Sequence, residues 1–375
     1  MKRIYADHAA TTPLDPRVLE AMLPFLGGSY YNPSSLYPEA RAVRAEIENA
    51  RRRILETIGG PGRIIFTGSG TESVNLALRS AVSGLRGDRR RILISAVEHH
   101  AVLNCAASFG AEGFGVERLP VDRYGVVSPD TLKSRMDSGA ALVSVMSVNN
   151  ETGAVNDTAA LCRIAHDGGA MFHTDAVQAL GVLRIGAGDM GADYISVSAH
   201  KIYGPKGVGA LYAAPGAPVF PLIRGGEQEG GARAGTENVA GIIGFGRAAE
   251  ILGECLEEEL PRLERLRQIF LDGIAGVPGL IVNSPPGGAP HIISVSAAGV
   301  EAEACLLRLS MAGLLGSMGA ACNSSSVEPS HVVEAIGVPA EYKRGTMRFS
   351  FGRDNTGEDA SFAARELVSA IAKSG

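Results

Sequence analysis

Lys201 is the residue of this chain whose setting is best suited to covalent chemistry with a carbonyl compound. An apolar, β-branched run from Tyr194 to Val197 predicts a buried strand, and the polar residues Ser198, His200 and Lys201 follow it. A Gly/Pro-rich turn and a second apolar strand come next. A lysine amine at a strand end can form a Schiff base with a carbonyl group while neighbouring donors hold the rest of the molecule. A solvated lysine in a hairpin is an equally acceptable interpretation of this segment.

Asp175 and Gln178, which lie upstream of Lys201, indicate which carbonyl compound would bind. Residues 170–181 predict a buried strand that runs into a helix, with Asp175 and Gln178 at the junction. A carboxylate beside a pyridine nitrogen keeps that nitrogen protonated, so that the ring accepts electrons, and an amide suits the ring's phenolic oxygen. These residue types favour pyridoxal 5'-phosphate. Taken singly, Asp175 fits the commoner role of a helix N-cap.

A glycine-rich turn supplies a candidate phosphate site. Residues 64–66 predict a short strand, residues 68–71 (GSGT) a turn, and the residues after them an amphipathic helix. Glycines such as Gly70 let the backbone approach an anion, and the amides at the helix start, including that of Thr71, bind phosphate. The chain has neither a GxGxxG fingerprint nor a Walker loop here, which disfavours a nucleotide. A capped turn supported by Thr71 and Glu72 is the alternative.

Polar residues follow two further predicted strands. One apolar run ends at residues 98–100 (EHH) and another at residues 149–151 (NNE). In an open parallel sheet, ligands gather at the carboxyl ends of the strands. We therefore expect the His99 imidazole to stack on the pyridine ring and the Asn150 amide to bond its oxygen. Singly, His99 fits a packed histidine and Asn150 a turn residue equally well.

Taken together, these motifs resemble the cysteine desulfurases, which are pyridoxal-phosphate enzymes of the class V aminotransferase superfamily. The resemblance runs nearly end to end and is carried by YADHAATTPLDPRV (5–18), NPSS (32–35), FTGSGTESVN (66–75), EHHAVL (98–103), SVNNETG (147–153), FHTDAVQA (172–179), SVSAHKIYGPKGVG (196–209), GARAGTEN (231–238), CNSSSVEPSHV (322–332) and MRFSFGR (347–353). It implies an α/β, aminotransferase-type fold with a large, mainly parallel sheet and a smaller α+β domain. It also implies conversion of L-cysteine to L-alanine, with the sulfur passing to a cysteine persulfide and then to an acceptor protein of iron–sulfur cluster assembly, tRNA thiolation or DNA phosphorothioation.

The resemblance assigns roles to individual residues. Cys322, in a run of small and polar residues that is typical of an accessible loop, is the expected sulfur nucleophile. Lys201 and His99 are the other expected catalytic residues. The residues expected to bind the cofactor are Lys201, Gly70, Thr71, His99, Asn150, Asp175, Gln178, Ser198, His200 and Thr236.

Substrate and subunit contacts are implied in the same way. Arg348 is expected to grip the substrate carboxylate with its planar fork, Asn32 to help place that carboxylate, and Arg353 is the weaker candidate. Thr236, with Arg233, matches a loop that in the family reaches the cofactor phosphate of the partner subunit. A homodimer with shared sites is therefore expected.

Composition sets the limits of these expectations. The chain has 375 residues, of which 45% are hydrophobic, a net charge of -5 and five cysteines without paired spacing. This pattern predicts no direct nucleic-acid binding, no membrane association and a cytoplasmic location. The histidines lack a ligand spacing, so no metal site is expected.

The predicted domains are a large cofactor-binding domain, 14–256, and a small domain made of 1–13 and 257–375 that carries the Cys322 loop. A charged helical stretch at 247–272, interrupted at Pro261, is expected to link them.

Two alternative activities share most of these residues. A selenocysteine lyase would differ only in substrate preference. A class V aminotransferase-type enzyme acting on another amino acid would need no accessible cysteine, and it would yield a keto acid rather than alanine and sulfide.

Overall fold

The structure is a computed structural model that describes residues 3–84, 89–319 and 329–373. Its strands are β1 (Ile4–Tyr5), β2 (Arg63–Thr67), β3 (Arg91–Ser95), β4 (Gly115–Leu119), β5 (Leu142–Ser144), β6 (Met171–Asp175), β7 (Tyr194–Ser198), β8 (Gly209–Ala213), β9 (Leu280–Val282), β10 (Ile292–Ala297), β11 (Leu314–Leu315) and β12 (Thr346–Ser350). Its α-helices are α1 (Pro16–Leu26), α2 (Pro38–Ile58), α3 (Gly70–Ser83), α4 (His100–Ser108), α5 (Pro129–Met136), α6 (Thr158–Asp167), α7 (Ala187–Met190), α8 (Val239–Gly273), α9 (Ala302–Met311), α10 (His331–Ala335), α11 (Ala340–Lys343) and α12 (Gly357–Ala372). Short 3-10 helices cover Phe109–Glu112, Ala199–Lys201 and Gln228–Gly231.

The largest sheet has seven strands in the order β2-β8-β7-β6-β5-β3-β4. The pairs from β7 to β4 are parallel, whereas β8 runs antiparallel to both of its neighbours. Successive residues of a strand enter different apolar clusters: Leu93 belongs to one, and Ile92 and Ile94 belong to another. Both faces of the sheet are therefore covered, as in α/β proteins with parallel strands. The predicted α/β fold class is confirmed.

A smaller antiparallel sheet, β12-β10-β9, is formed by the last third of the chain. The first residues join this part, because β1 pairs in parallel with β11 and Asp7 forms a bridge to Ser350 beside β12. The N-terminal segment thus runs from the small sheet towards the carboxyl ends of the large one.

Helix α8 differs from the predicted helical stretch at 247–272, which was expected to be interrupted at Pro261. It runs without a break from Val239 to Gly273, although Pro261 lies inside it. A proline inside a helix removes one hydrogen bond and costs about 3 kcal/mol. Buried residues on both sides of it, such as Leu252 and Leu266, anchor the helix in the core. Packing of these two parts therefore outweighs the local cost.

The segment after β6 corrects a second expectation. We predicted a helix after Asp175, but residues 176–181 form turns and the next helix is the short α7. The Asp175 side chain accepts a hydrogen bond from the Val177 amide at 2.9 Å, which closes a local turn. Gly181 then has a φ of 99°, which is incompatible with continuing a right-handed helix.

Candidate active site

A cavity of about 330 Å³ lies at the carboxyl ends of the central strands of the large sheet. Ten of the residues predicted from the sequence line it: Gly70, Thr71, His99, Asn150, Asp175, Gln178, Ser198, His200, Lys201 and Arg348. Its volume lies in the range of small-molecule sites. The polar residues that follow different strands, which lie far apart in the sequence, thus meet at one place.

Lys201 ends the short 3-10 helix that follows β7. Its Nζ atom donates hydrogen bonds to the carbonyl oxygens of Ala9 and, at 2.9 Å, Ala10. The Gln178 amide also donates to the Ala9 carbonyl, at 2.7 Å. Backbone carbonyls of the N-terminal segment therefore hold both side chains in the cavity.

Asp175 is the last residue of β6 and is buried. Burial raises the pKa of Asp175, while the nearby His99 and Lys201 and the hydrogen bond from the Val177 amide lower it. A cationic ring nitrogen placed beside this carboxyl group would add a further positive charge. The carboxylate form of Asp175 would then be favoured.

His99 caps the N-terminus of α4 and its ring faces the cavity. Its Nδ1 atom accepts a hydrogen bond from the Ala101 amide at 3.1 Å. Since an amide N–H can only donate, Nδ1 carries no proton. Burial lowers the pKa of His99, so the neutral ring carries its proton on Nε2. His99 therefore enters the site as a hydrogen-bond donor through Nε2.

The start of α3 forms one wall of the cavity. The Ser69 hydroxyl accepts a hydrogen bond from the Glu72 amide at 3.1 Å, and the Glu72 carboxylate accepts one from the Gly68 amide at 2.7 Å. A Cβ atom at Gly70 would lie 2.8 Å from Val177 Cγ2 and 3.4 Å from Ser198 Cβ. Only glycine lets the first turn approach the cavity this closely. The Gly70 and Thr71 amides, at the first two positions of the helix, have no intrahelical acceptor and are not used by this cap, which suits an anion.

Arg348 extends from β12 into the cavity and is 2% exposed. Its Nη2 atom pairs with Asp7 Oδ1 at 2.9 Å, and its Nη1 atom donates to the carbonyl oxygens of Asn150, at 2.7 Å, and Gly319, at 3.2 Å. Asp7 and Glu151 both lie at this end of the site, and sequence reasoning did not assign either of them to it. Glu151 follows Asn150 directly in the sequence, which is a usable signal, whereas Asp7 and Arg348 lie at opposite ends of the chain and only the fold brings them together.

Three of the other predicted residues, Asn32, Thr236 and Arg353, do not line this cavity. Asn32 is exposed and accepts a hydrogen bond from the Ser34 amide at 2.9 Å, outside this cavity. Thr236 is exposed beside a separate pocket. Arg353 pairs with Asp15 at 2.9 Å. Cys322 lies outside the described residues.

Arg233, beside Thr236, connects this second pocket to the cavity wall. Its Nε atom donates to Glu72 Oε1 at 3.0 Å, and Glu72 belongs to the first turn of α3.

The cavity thus brings together a lysine, a buried aspartate and the start of a helix. The family to which the chain belongs is shown by its sequence. The sequence profile of the family "Aminotransferase class-V" matches residues 4–361, and the chain is a member of that family.

Individual relatives are similar over nearly the whole chain. The protein named "Cysteine desulfurase IscS" from Dictyoglomus turgidum is 45% identical over 377 residues, which cover 100% of this chain and 96% of the relative. Its namesake from Methanosarcina thermophila is 41% identical over 96% of this chain and 89% of the relative. A solved structure described as "NIFS-LIKE PROTEIN" has a TM-score of 0.91 and 34% identity, covering 99% and 100% of the two chains. The structure "SspA in complex with cysteine" has a TM-score of 0.81 and 34% identity, covering 92% and 98%.

Within residues 3–84, 89–319 and 329–373, no helix has the length and apolarity needed to cross a membrane. In the same part of the chain, no three His, Cys, Asp or Glu side chains are grouped as they would be around a metal ion.

Proposed function

We propose that this chain is a pyridoxal-phosphate-dependent cysteine desulfurase, which converts L-cysteine to L-alanine and passes the sulfur to Cys322 and then to an acceptor protein. The observation that carries the proposal is the meeting of Lys201, Asp175, His99 and Arg348 in one cavity. Relatives that are 41% and 45% identical are named cysteine desulfurases, and a neighbouring structure is described in complex with cysteine.

The cavity fits the cofactor in both charge and shape. The first turn of α3, which needs Gly70 to come this close, offers amides for the phosphate, and Ser198 and His200 add polar side chains. Asp175 would hold the ring nitrogen, His99 would stack on the ring, and Gln178 and Asn150 would bond its oxygen. When bound, pyridoxal phosphate supplies an aldehyde for amines and a protonated ring that accepts electrons from the substrate.

Three side chains would bind the substrate and transfer its protons. The Lys201 amine would hold the cofactor and then move the proton of the substrate's α-carbon. The Arg348 guanidinium would orient the α-carboxylate. His99, whose proton lies on Nε2, would donate it when alanine forms.

The sulfur step belongs to Cys322. Its thiolate would form a bond to the substrate sulfur while the carbon–sulfur bond breaks. The electron pair of that bond stays with the carbon skeleton, which takes up a proton and leaves as L-alanine. Cys322 keeps the sulfur as a persulfide, from which a reductant releases sulfide or an acceptor protein takes the sulfur.

The test is incubation of the purified protein with L-cysteine and a thiol reductant, with sulfide and alanine measured together. We expect equimolar products, and we expect Cys322→Ala to make neither under the same conditions. Lys201→Ala should lose the visible absorbance of the lysine-bound cofactor. Formation of a keto acid in place of alanine and sulfide would contradict the proposal and favour an aminotransferase-type enzyme.

Cys105→Ala is the matched control. Cys105 is buried, and burial raises the pKa of its thiol to about 11, so this thiol stays protonated at neutral pH. The Cys105→Ala variant should keep its desulfurase activity. An equal loss in both cysteine variants would indicate damage to the fold rather than loss of a nucleophile.

We also propose a homodimer, because Thr236 and Asn32 lie outside the cavity of their own chain. In a dimer, Thr236 of one subunit would reach the phosphate in the other. The division into domains, 14–256 against 1–13 and 257–375, stays a prediction, and its boundary at residue 256 falls inside α8. The cytoplasmic location and the existence of an acceptor protein also stay predictions.

A further inference from the structure

Glu151 is a buried acid in the wall of the cavity to which the mechanism above gives no role. It is 4% exposed and lines the same cavity as Lys201 and Arg348. Its Oε1 atom accepts a hydrogen bond from the Ser330 hydroxyl at 2.8 Å. Its Oε2 atom is buried and has no hydrogen-bond partner among the described residues. A buried polar atom without a partner is costly, so it is a strong candidate for contact with a ligand.

Arg348 does not neutralise this acid. Its ion pair is formed with Asp7, and its Nη1 atom is used by the carbonyl oxygens of Asn150 and Gly319. Its Nε atom, like Glu151 Oε2, is buried without a hydrogen-bond partner in the described part of the chain. Within the described residues, the Arg348 Nε–H and the Glu151 Oε2 atom are thus a buried donor and a buried acceptor that both lack a partner.

Gly319 shows that these two groups are neighbours. Its carbonyl oxygen accepts from Arg348 Nη1 at 3.2 Å, and a Cβ atom built on it would lie 3.2 Å from Glu151 Oε2. Gly319 has a φ of 90°, which favours glycine at this position. One residue without a side chain therefore separates the arginine from the acid.

Burial without a counter-ion favours the neutral form of Glu151. It raises the pKa of Glu151 to about 7, against the lowering effects of the Ser330 hydroxyl and the Arg348 charge. The other titratable or charged residues that line the cavity are His99, His100, Asp175, His200, Lys201 and His331. A protonated carboxyl group is a hydrogen-bond donor, whereas an ionised one can only accept.

We propose that Glu151, as a neutral acid, donates a hydrogen bond to the α-carboxylate of the substrate that Arg348 orients. This inference rests on the proposed function, because it takes the ligand to be an α-amino acid. Ionised Glu151 would instead place a second negative charge against the ligand carboxylate. Binding of the amino acid is therefore strongest below the pKa of Glu151 and weakens as the pH rises through it.

The test uses L-alanine, an amino acid without a thiol, as the probe. Its dissociation constant is measured by calorimetry on the cofactor-loaded protein from about pH 6 to about pH 9, for the wild type and for Glu151→Gln. Gln cannot ionise and keeps an N–H donor. Ionisations of the ligand and of the other cavity residues affect both proteins, so they cancel in the ratio of the two constants. Above pH 7 we expect this ratio, wild type over variant, to rise about tenfold per pH unit.

Two controls identify the groups involved. L-Alaninamide has no carboxylate, so its ratio should stay constant with pH. Glu117→Gln makes the same change on β4, outside the cavity, where Glu117 pairs with Arg91 and Arg135, and this variant should keep the pH profile of the wild type. A constant ratio for L-alanine, or an equal rise for L-alaninamide, would overturn the inference.

A second variant keeps the test decisive if Glu151→Gln does not fold. Ser330→Ala removes the hydrogen bond that favours the ionised form, so the loss of L-alanine binding should begin at higher pH. An unchanged midpoint in Ser330→Ala would contradict the inference. Failure to make sulfide, with the pH-dependent binding of L-alanine intact, would refute only the proposed function.

Discussion

Replacement of Glu151 by Gln should remove a pH-dependent cost from the stability of this protein. The pKa of Glu151 is about 7 in the folded chain against its ordinary value of 4.5, because burial disfavours the ionised form. The folded state therefore holds this proton more tightly than the unfolded chain does. The cost is absent below the unfolded value, grows as the pH rises from there to the folded value, and is constant above it.

The size of this effect follows from the two pKa values. Their difference, 7 minus 4.5, multiplied by about 1.4 kcal/mol per unit, gives a cost of about 3 to 4 kcal/mol well above neutral pH. Glu151→Gln cannot ionise and avoids this cost. The free energy of unfolding of the wild type, relative to that of the variant, should therefore fall by about 3 kcal/mol between about pH 4 and about pH 8.

Urea denaturation at fixed protein concentration measures this difference. The wild type and the variant are unfolded at several pH values, and their free energies of unfolding are subtracted at each one. Groups that titrate independently of Glu151 cancel in the subtraction. A difference that stays constant with pH, or that moves in favour of the wild type as the pH rises, would refute the claim that the folded chain keeps Glu151 protonated.

Two further predictions concern the packing that holds the site. Gly246→Ala should destabilise the protein by about 1–3 kcal/mol, because the new Cβ would lie 2.5 Å from Cα of Ala50 on the facing helix α2. Gly253→Ala, on the same helix but with open space around it, is the control and should be neutral or slightly stabilising in urea denaturation. Phe270→Ala should cost about 3–5 kcal/mol by the same measurement, because this ring is fully buried and lies 5.2 Å from that of Phe349. A loss below about 1 kcal/mol would mean that the core closes around the missing ring.

The sequence was sufficient for the part of the site that lies at strand ends. Asp175, Ser198 and His99 each end or follow a short apolar strand, and parallel strands place such residues at one edge of the sheet. Residue type and position along the chain together carry this information. The same logic predicted a helix after Asp175, and it was wrong because Gly181 has a φ of 99°, which a right-handed helix cannot contain.

The N-terminal contribution could not be predicted in this way. Lys201 is held by the carbonyl oxygens of Ala9 and Ala10, which every residue type possesses. Such a contact leaves no signal in the side chains, and it joins positions that are 191 and 192 apart in the sequence. Asp7 has a charged side chain that can be noticed in the sequence, but its partner Arg348 lies at the opposite end of the chain. Only the fold brings these pairs together.

Residues 7 to 10 therefore determine how the two halves of the site face each other. The lysine half belongs to the large sheet, and the arginine half belongs to β12 of the small sheet. Asp7 pairs with Arg348, and Ala9 and Ala10 accept hydrogen bonds from Lys201, so one short segment contacts both halves. If Arg348 orients the carboxylate and Lys201 moves the α-proton, this segment sets the relative position of the two groups. Its role in the proposed reaction would thus be to orient the substrate, through contacts that belong to the backbone as much as to side chains.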